Sequence, residues 1–392
     1  MRPGITIRHS RDVERKTDVV HSDLTGFIGI IPEARWPQGI RRGDFMEVPL
    51  RSLSDLAAQP VSRLVDPVTL RAVQQFFENG GREAKLFGLC VESEEDLMTT
   101  DPFNVLWHDI VDRLREREDV GLLAMPVLAY LPVTFDRRGR AVVPCQPTIE
   151  LLLEHCCEMN NRFLILDTPR DLHEEALFDW VTRFRESNQQ FSSYAAIYYP
   201  WLMRGDTTFP PSGCVAGVYA RVESEETQFG VRNPPANRVL RGVTHPMVEI
   251  RWSESDRFLE ERINPILTQP ARGVVIWGAR TLSLDEKWMH INSRRIVSLI
   301  AEQLRRDSEW VVFENQRPEL WTMLERGVKN RLDDMWVAGL LTGDEAGSEY
   351  MVQCDGELNP PEVRDAGQVN IRVTVRPIST AEFIVVDLRL GQ

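Results

Sequence analysis

The chain has 392 residues, 42% hydrophobic and 27% charged, with a net charge of −13 at pH 7. That length allows two or three domains, each with its own core, and the acid excess argues against a broad nucleic-acid surface, which needs clustered Lys and Arg. No apolar run approaches the roughly 18 residues that cross a bilayer.

The opening MRPGITIRHSRDVERKTD is charged and lacks the apolar centre of a secretory signal, so synthesis and assembly in the cytoplasm, away from membranes, are expected. It holds one short alternating segment, Ile5 to Arg8, before a charged stretch, Arg11 to Asp18, that cannot bury itself. An apolar strand follows over Leu24 to Ile31. Asp66 and Pro67 then start a helix, as N-cap and first helical residue. Val73, Phe76 and Phe77 line one of its faces, and Asn79-Gly80-Gly81 closes it.

Next come a strand over Ala84 to Val91 and a near-continuous apolar run, Leu122 to Leu131. Ile149 to Met159 reads as a helix, Arg162 to Asp167 as a buried strand, Glu174 to Arg185 as a helix and Tyr194 to Tyr199 as a strand. Short strands alternating with amphipathic helices predict βαβ units and a largely parallel sheet covered on both faces. Val274 to Trp277 is the last strand of that body, ended by a sharp turn at Gly278.

Beyond it the pattern changes. Asn292 is expected to cap a helix with Ile296, Leu299, Ile300 and Leu304 on one face. Pro318 opens a second, with Leu320, Leu324, Val328, Leu332 and Trp336 four residues apart, ending at Gly339. Pure β pattern follows at Tyr350 to Cys354, Gln368 to Arg376 and Glu382 to Leu390.

Catalytic signals are missing from these motifs. Ser212 lies in PPSGC, without the GxSxG elbow of a hydrolase nucleophile, and His155, His173 and His245 have no motif that makes them bases. The chain has no Gly-Lys dipeptide, hence no phosphate-binding P-loop. Six scattered cysteines suit reduced thiols better than a disulfide framework. His155 beside Cys156 and Cys157 has neither CxxC nor HxxxH spacing, so no metal is expected. No catalytic residue and no cofactor is assigned.

The wording of the motifs is more specific. GVVIWGARTLSLDEKWMHINSRR, Gly273 to Arg295, resembles the junction between the two core modules of contractile tail sheath proteins, found in myophages, R-type bacteriocins and extracellular contractile injection systems. Pro3 to Ile7 resembles their PGVYV-type opening, Leu24 to Gly29 their first core strand, and Ala72 to Gly81 their AVxxFFxNGG helix and turn. Asn161 to Asp167 resembles "DRFAILD", with Asn161 where Asp is usual. Ala195 to Trp201 is similar to "AALYYPW", Pro210 to Gly217 to "PPSGxVAG", Val231 to Asn237 to "VHKAPAN", Ile263 to Ile266 to "INPI" and Arg376 to Phe383 to "RPAEF". The matches run in order along the chain. Two stretches depart from the family, about residues 35–65 and 219–230.

The resemblance implies an α/β fold: a mainly parallel, subtilisin-like body without a catalytic triad over 22–278, and a smaller α+β module over 279–378. Extended β arms would lie at 1–21 and 379–392. It implies a non-enzymatic subunit that stacks as hexameric rings around an inner tube protein and contracts, with itself, paralogous sheath subunits, baseplate and terminal cap proteins as partners. A non-contracting collar or cap of the same fold is the alternative. Three sets of residues are expected to matter. Ile5, Ile7, Phe383, Val385 and Leu388 would join subunits by strand addition. The basic cluster Arg326, Lys329 and Arg331 would face the tube. Trp277 would be buried at the junction, and Arg280 would hold a carboxylate or strand-end carbonyls of the neighbouring module in bidentate fashion.

Overall fold

The computed structural model describes residues 20–98, 105–225, 230–312, 314–315, 317–343, 349–378 and, by their backbone, 384–390. A nine-stranded sheet organises the first two thirds. Six of its strands run parallel, in the spatial order Ile263–Gln269, Ala195–Tyr199, Phe163–Asp167, Leu122–Ala124, Thr25–Pro32 and Ala84–Val91. Antiparallel strands close both sides: Phe45–Leu50 beside Ala84–Val91, and Gly273–Ile276 followed by Arg238–Val239 beside Ile263–Gln269. The edge strand Phe45–Leu50 falls in the stretch that departs from the family.

Alternation along each strand loads both faces. Ile28, Ile30, Phe87 and Leu89 point to a core completed by the helices Val105–Arg115, Gln146–Met159 and Glu174–Ser187. Phe27, Ile31, Leu86 and Cys90 point to the opposite core, under Pro67–Glu78 and Ser212–Ser224. These last two helices touch backbone to backbone. A Cβ on Gly213 would meet the Ala72 carbonyl oxygen at 2.3 Å, and one on Gly217 that of Phe76 at 2.4 Å, which is a physical reason for glycine in PPSGCVAG.

Asp66 caps its helix as expected, accepting from Thr69 N at 2.7 Å. The run Leu122 to Leu131 divides into a three-residue strand and a 3-10 turn, Pro126–Tyr130, because Pro126 cannot donate to the ladder.

The helices Ile291–Asp307 and Pro318–Val337 pack against a three-stranded antiparallel sheet, ordered Tyr350–Gln353, Val369–Val375, Ile384–Leu390. Leu299, Ile300, Leu304, Leu324, Val328, Leu332, Ile371 and Val373 form their shared core, which also takes in Val20 and Val231. The residue at the N-cap of Ile291–Asp307 is His290; Asn292 lies inside the first turn and donates to the Arg232 carbonyl at 3.2 Å. Ile5 and Ile7 lie outside the described residues, as does Phe383. Among the described residues no helix is long and apolar enough to cross a membrane.

Candidate functional site

The Gly273–Arg295 run crosses from the large sheet to the C-terminal helices, and its residues divide by what they touch. Gly273–Ile276 is an antiparallel hairpin strand against Ile263–Gln269. The expected sharp turn at Gly278 is instead a close approach without turn or bend, where a Cβ would sit 2.6 Å from Asn264 Oδ1 and 2.9 Å from Asn264 Cα. Only glycine fits that approach. It lets the buried Asn264 amide clasp Arg280, accepting from its N–H at 2.7 Å and donating to its carbonyl at 2.8 Å. Leu282 N then donates to Ala195 O at 3.0 Å, so the chain is still fastened to the parallel sheet.

Trp277 is half-buried, because the strand ends one residue earlier. Its ring packs at 4.3 Å on Trp252, which is 59% exposed. Arg280 gives one Nη1 hydrogen bond, 2.8 Å to the Leu259 carbonyl, an acceptor on the body. The bidentate grip on the neighbouring module is thus replaced by a single bond within the body.

The side chains that join the two parts are Arg294 and Arg295, each 5% exposed. Arg295 Nη2 meets Glu223 Oε2 at 2.8 Å, Ser22 Oγ at 3.0 Å and the Ser22 carbonyl at 3.1 Å, with its guanidinium over the Tyr219 ring at 5.0 Å. Glu223 Oε1 in turn accepts from Ser22 N at 2.8 Å. One buried ion pair therefore fastens three distant pieces: the segment entering the first strand, the helix Ser212–Ser224 and the helix Ile291–Asp307. Arg294 lies between the rings of Tyr194 and Trp288, at 4.4 and 4.1 Å, and donates to Asn160 Oδ1 at 3.2 Å. Burial pulls its guanidinium below the ordinary arginine value; stacking between aromatic faces suits a weakly hydrated guanidinium.

Further along the helix, Gln303 accepts from Val20 N at 2.8 Å and Arg305 reaches Glu118 at 2.7 Å. Arg305 also holds Glu302, and that bond raises its already high pKa.

The expected basic cluster on Pro318–Val337 does not stay together. Arg331 is 4% exposed and bound to Asp307, with 3.0 Å between Nη2 and Oδ1, so it ties the two C-terminal helices and cannot face a partner. Arg326 and Lys329 are exposed, and Lys329 pairs with Glu325 at 2.6 Å.

Val385 and Leu388 fall opposite Thr374 and Ile371 in an antiparallel pairing within the chain's own sheet. The reading of Arg280 and Trp277 came from their place at a strand end. Arg294 and Arg295 belong to the same motif, but their partners lie 72 and 134 residues away, at Glu223 and Asn160.

Chemistry of other kinds finds little purchase here. The Ser212 hydroxyl is buried with no hydrogen-bond partner among the described residues, and its N–H donates to Asp167 at 2.7 Å. Ligand atoms of His21, Asp23 and Glu223 lie within 4.8 Å of one another. Both carboxylates already hold guanidiniums, Asp23 that of Arg82 at 3.3 Å and Glu223 that of Arg295. Two cavities of about 20 and 10 Å³, under Pro169 and beside Gly121, have room for about one water molecule each.

The structure is thus a three-layer α/β body clamped by buried charge to a small sheet-bearing unit, and comparison with known proteins gives its family. Residues 144–282 match the phage tail sheath protein central domain, and residues 283–391 match the phage tail sheath C-terminal domain. The chain belongs to the phage tail sheath family. It is 25% identical to the tail sheath protein of Enterobacteria phage T4 over 64% of this chain and 37% of that one. It is also 25% identical to a prophage major tail sheath protein of Pseudomonas aeruginosa (strain UCBPP-PA14), over 61% of each. The chain thus spans about a third to three fifths of the length of these relatives. Its fold follows the helical sheath of the anti-feeding prophage in the contracted state, with a TM-score of 0.72 at 22% identity over 98% of both chains.

Proposed function

We propose that the protein is the subunit of a contractile sheath. It polymerises as stacked hexameric rings around an inner tube and shortens to drive that tube through a target envelope. The observation that carries this reading is the unbroken match of the central and C-terminal sheath domains over residues 144–391. The particle would be a phage tail or a phage-tail-like machine, assembled with the tube protein, baseplate and cap, with or without paralogous sheath subunits. Neither nucleic acid nor membrane is a partner in this scheme. The body over 22–278 would be a subtilisin-like layer without a triad, and 279–378 an α+β module. The purified protein should form hollow, ridged tubes in negative-stain microscopy; rings that never stack would favour the collar alternative.

The ends would link subunits by strand addition. Ile384–Leu390 pairs with Val369–Val375 over seven residues, a register that an equivalent strand from another copy can occupy unchanged. The arms 1–21 and 379–392, with Ile5, Ile7, Phe383, Val385 and Leu388, would make that exchange. Truncation after residue 382 should leave a folded monomer that forms no tubes; normal tubes would refute the exchange.

Arg326 and Lys329 remain the residues proposed to face the tube. Reversing both to Glu should release the tube at moderate salt while sheath polymerisation continues. Retention of the tube would place the contact elsewhere.

A further inference from the structure

On the body side of the junction a second group of cations lies together, short of counter-charge. Glu261 Oε2 accepts from Arg185 Nη2 at 2.9 Å. Arg262 is the next residue along the chain. Two residues on, Asn264 clasps the backbone of Arg280, which forms a β-bridge with His290. Arg185, Arg262, Arg280 and His290 are thus strung along one connected set of backbone and side-chain bonds.

Their bonding is incomplete. Arg185 is 9% exposed, yet its Nε and Nη1 are buried without a hydrogen-bond partner. Arg262 makes no side-chain hydrogen bond or ion pair among the described residues, and its Nε is buried and unsatisfied. It also holds a left-handed backbone, φ +63°, which L-residues other than glycine, Asn and Asp seldom adopt. Strain and an idle guanidinium at one residue mark a site prepared for something absent from the monomer.

The electrostatics agree. Burial, then Arg280 and Arg185, hold the Arg262 guanidinium below its ordinary value, with exposed Glu286 as the opposing charge. Burial, then Arg280 and Arg262, keep the His290 imidazole low as well. His290 is also the N-cap of a 17-residue helix, whose dipole adds positive potential. Like charges gathered with Glu261 already paired and Glu286 exposed to solvent raise the energy of the free chain. An incoming carboxylate would lower it by pairing with the solvent-facing parts of the Arg262 and Arg280 guanidiniums.

We propose that the Arg185–Arg262–Arg280–His290 cluster is a docking site for an acidic segment of a second copy of this chain, a subunit contact that rests on the sheath reading. Charge complementarity selects the occupant: the chain carries 59 acidic against 46 basic residues, so another copy offers an acid-rich surface. Half-exposed Arg262 and Arg280 are reachable from solvent, and their contact would set subunit register.

The test uses full-length chain as wild type, Arg262→Gln and Arg262→Glu. Arg262 has no intrachain bond to lose and is crowded by like charge, so neither variant should melt below wild type as a monomer. Two measurements follow: the polymerised fraction by sedimentation at low and moderate salt, and binding of a hexaglutamate peptide to unassembled chain. The polymerised fraction should fall at least about tenfold in Arg262→Glu and less in Arg262→Gln, because a like charge at a contact costs far more than a lost one. Hexaglutamate should bind wild type and fail on Arg262→Glu.

Equal polymerisation of wild type and Arg262→Glu would overturn the assignment to a second copy while leaving the sheath reading intact. Should wild type form no polymer, the sheath reading fails by itself; loss of a second copy as occupant goes with it. Absence of hexaglutamate binding to wild type would overturn the site outright.

Discussion

From Gly273 to Ile276 the junction run is an apolar strand held by its neighbours in the sheet, whereas from His290 to Arg295 it is a helix start that buries two guanidiniums. The first half belongs wholly to the body: Ile276 O and Val274 O accept from Asn237 N and Leu240 N, and just beyond it Asn264 and the Leu259 carbonyl hold Arg280. The second half reaches Ser22, Asn160, Tyr194 and, on the helix Ser212–Ser224, both Tyr219 and Glu223, so four separate pieces of the body. Apolar register makes the body one block. Directional charge fixes where the C-terminal helices sit on it. A unit that must stay rigid needs both, since an apolar interface alone tolerates sliding while a buried, directional guanidinium–carboxylate bond does not.

The sharpest way to break this comparison is Arg295→Ala. It strands the Glu223 carboxylate in a site where both side chains are about 5% exposed, and should cost about 3–5 kcal/mol. Calorimetry should show the thermal midpoint falling by several degrees, and replacing both partners by apolar residues of similar volume should restore much of it. A loss under about 1 kcal/mol would mean the two halves are joined by packing alone.

Next in size is a change confined to the body. Burial lifts the Asp167 carboxyl to about 7 from 3.8, against the opposing hydrogen bond from the Ser212 N–H. Its folded pKa is therefore above its unfolded one. The folded state is favoured below the unfolded value, and that advantage is lost as pH rises through about 7. Asp167→Asn keeps an acceptor for Ser212 N and removes the charge, so it should stabilise the protein by about 2 kcal/mol at pH 8 and hardly at all at pH 4. Denaturant titrations at the two pH values check this; equal shifts at both would show the carboxyl to be ionised and tolerated.

Smaller effects are expected at the strand end. Trp277→Ala should cost about 1–2 kcal/mol, less than the 3–5 of a fully buried aromatic, since the ring is half-buried on an exposed Trp252. Smaller still, Arg280→Lys should lower stability by about 0.5–1 kcal/mol, one hydrogen bond's worth, because a single carbonyl is all that its guanidinium holds. If Trp277→Ala proved costlier than Arg295→Ala, the division of labour drawn above would be reversed.

Much of the body was legible from residues alone. Ala84–Val91 has the bounds its pattern predicted, Asp66 and Pro67 start their helix, and the alternation of Thr25–Pro32 loads two cores at once. Such features are local: period, cap and turn residues act within a few positions. The ordered motifs likewise carried the family. Pairing direction was not legible, because Gly273–Ile276 and the edge strand Phe45–Leu50 look like any apolar or mixed run until a neighbour is chosen.

Nor did spacing sort the arginines. Arg280, Arg294 and Arg295 share one motif without any sign of which is buried, and Arg326, Lys329 and Arg331 read as one basic cluster although Arg331 lies three residues after Val328 on the apolar side. Tertiary contacts bury Arg331 on Asp307, leave Lys329 outside with Glu325 and give Arg295 to Glu223, 72 residues earlier in the chain. Sequence by itself determined where strands and helices form, since backbone propensity and apolar period are local quantities. Only the tertiary structure decided which charges are buried, because the stability of an ion pair depends on the distance and dielectric that folding creates between residues far apart in the chain.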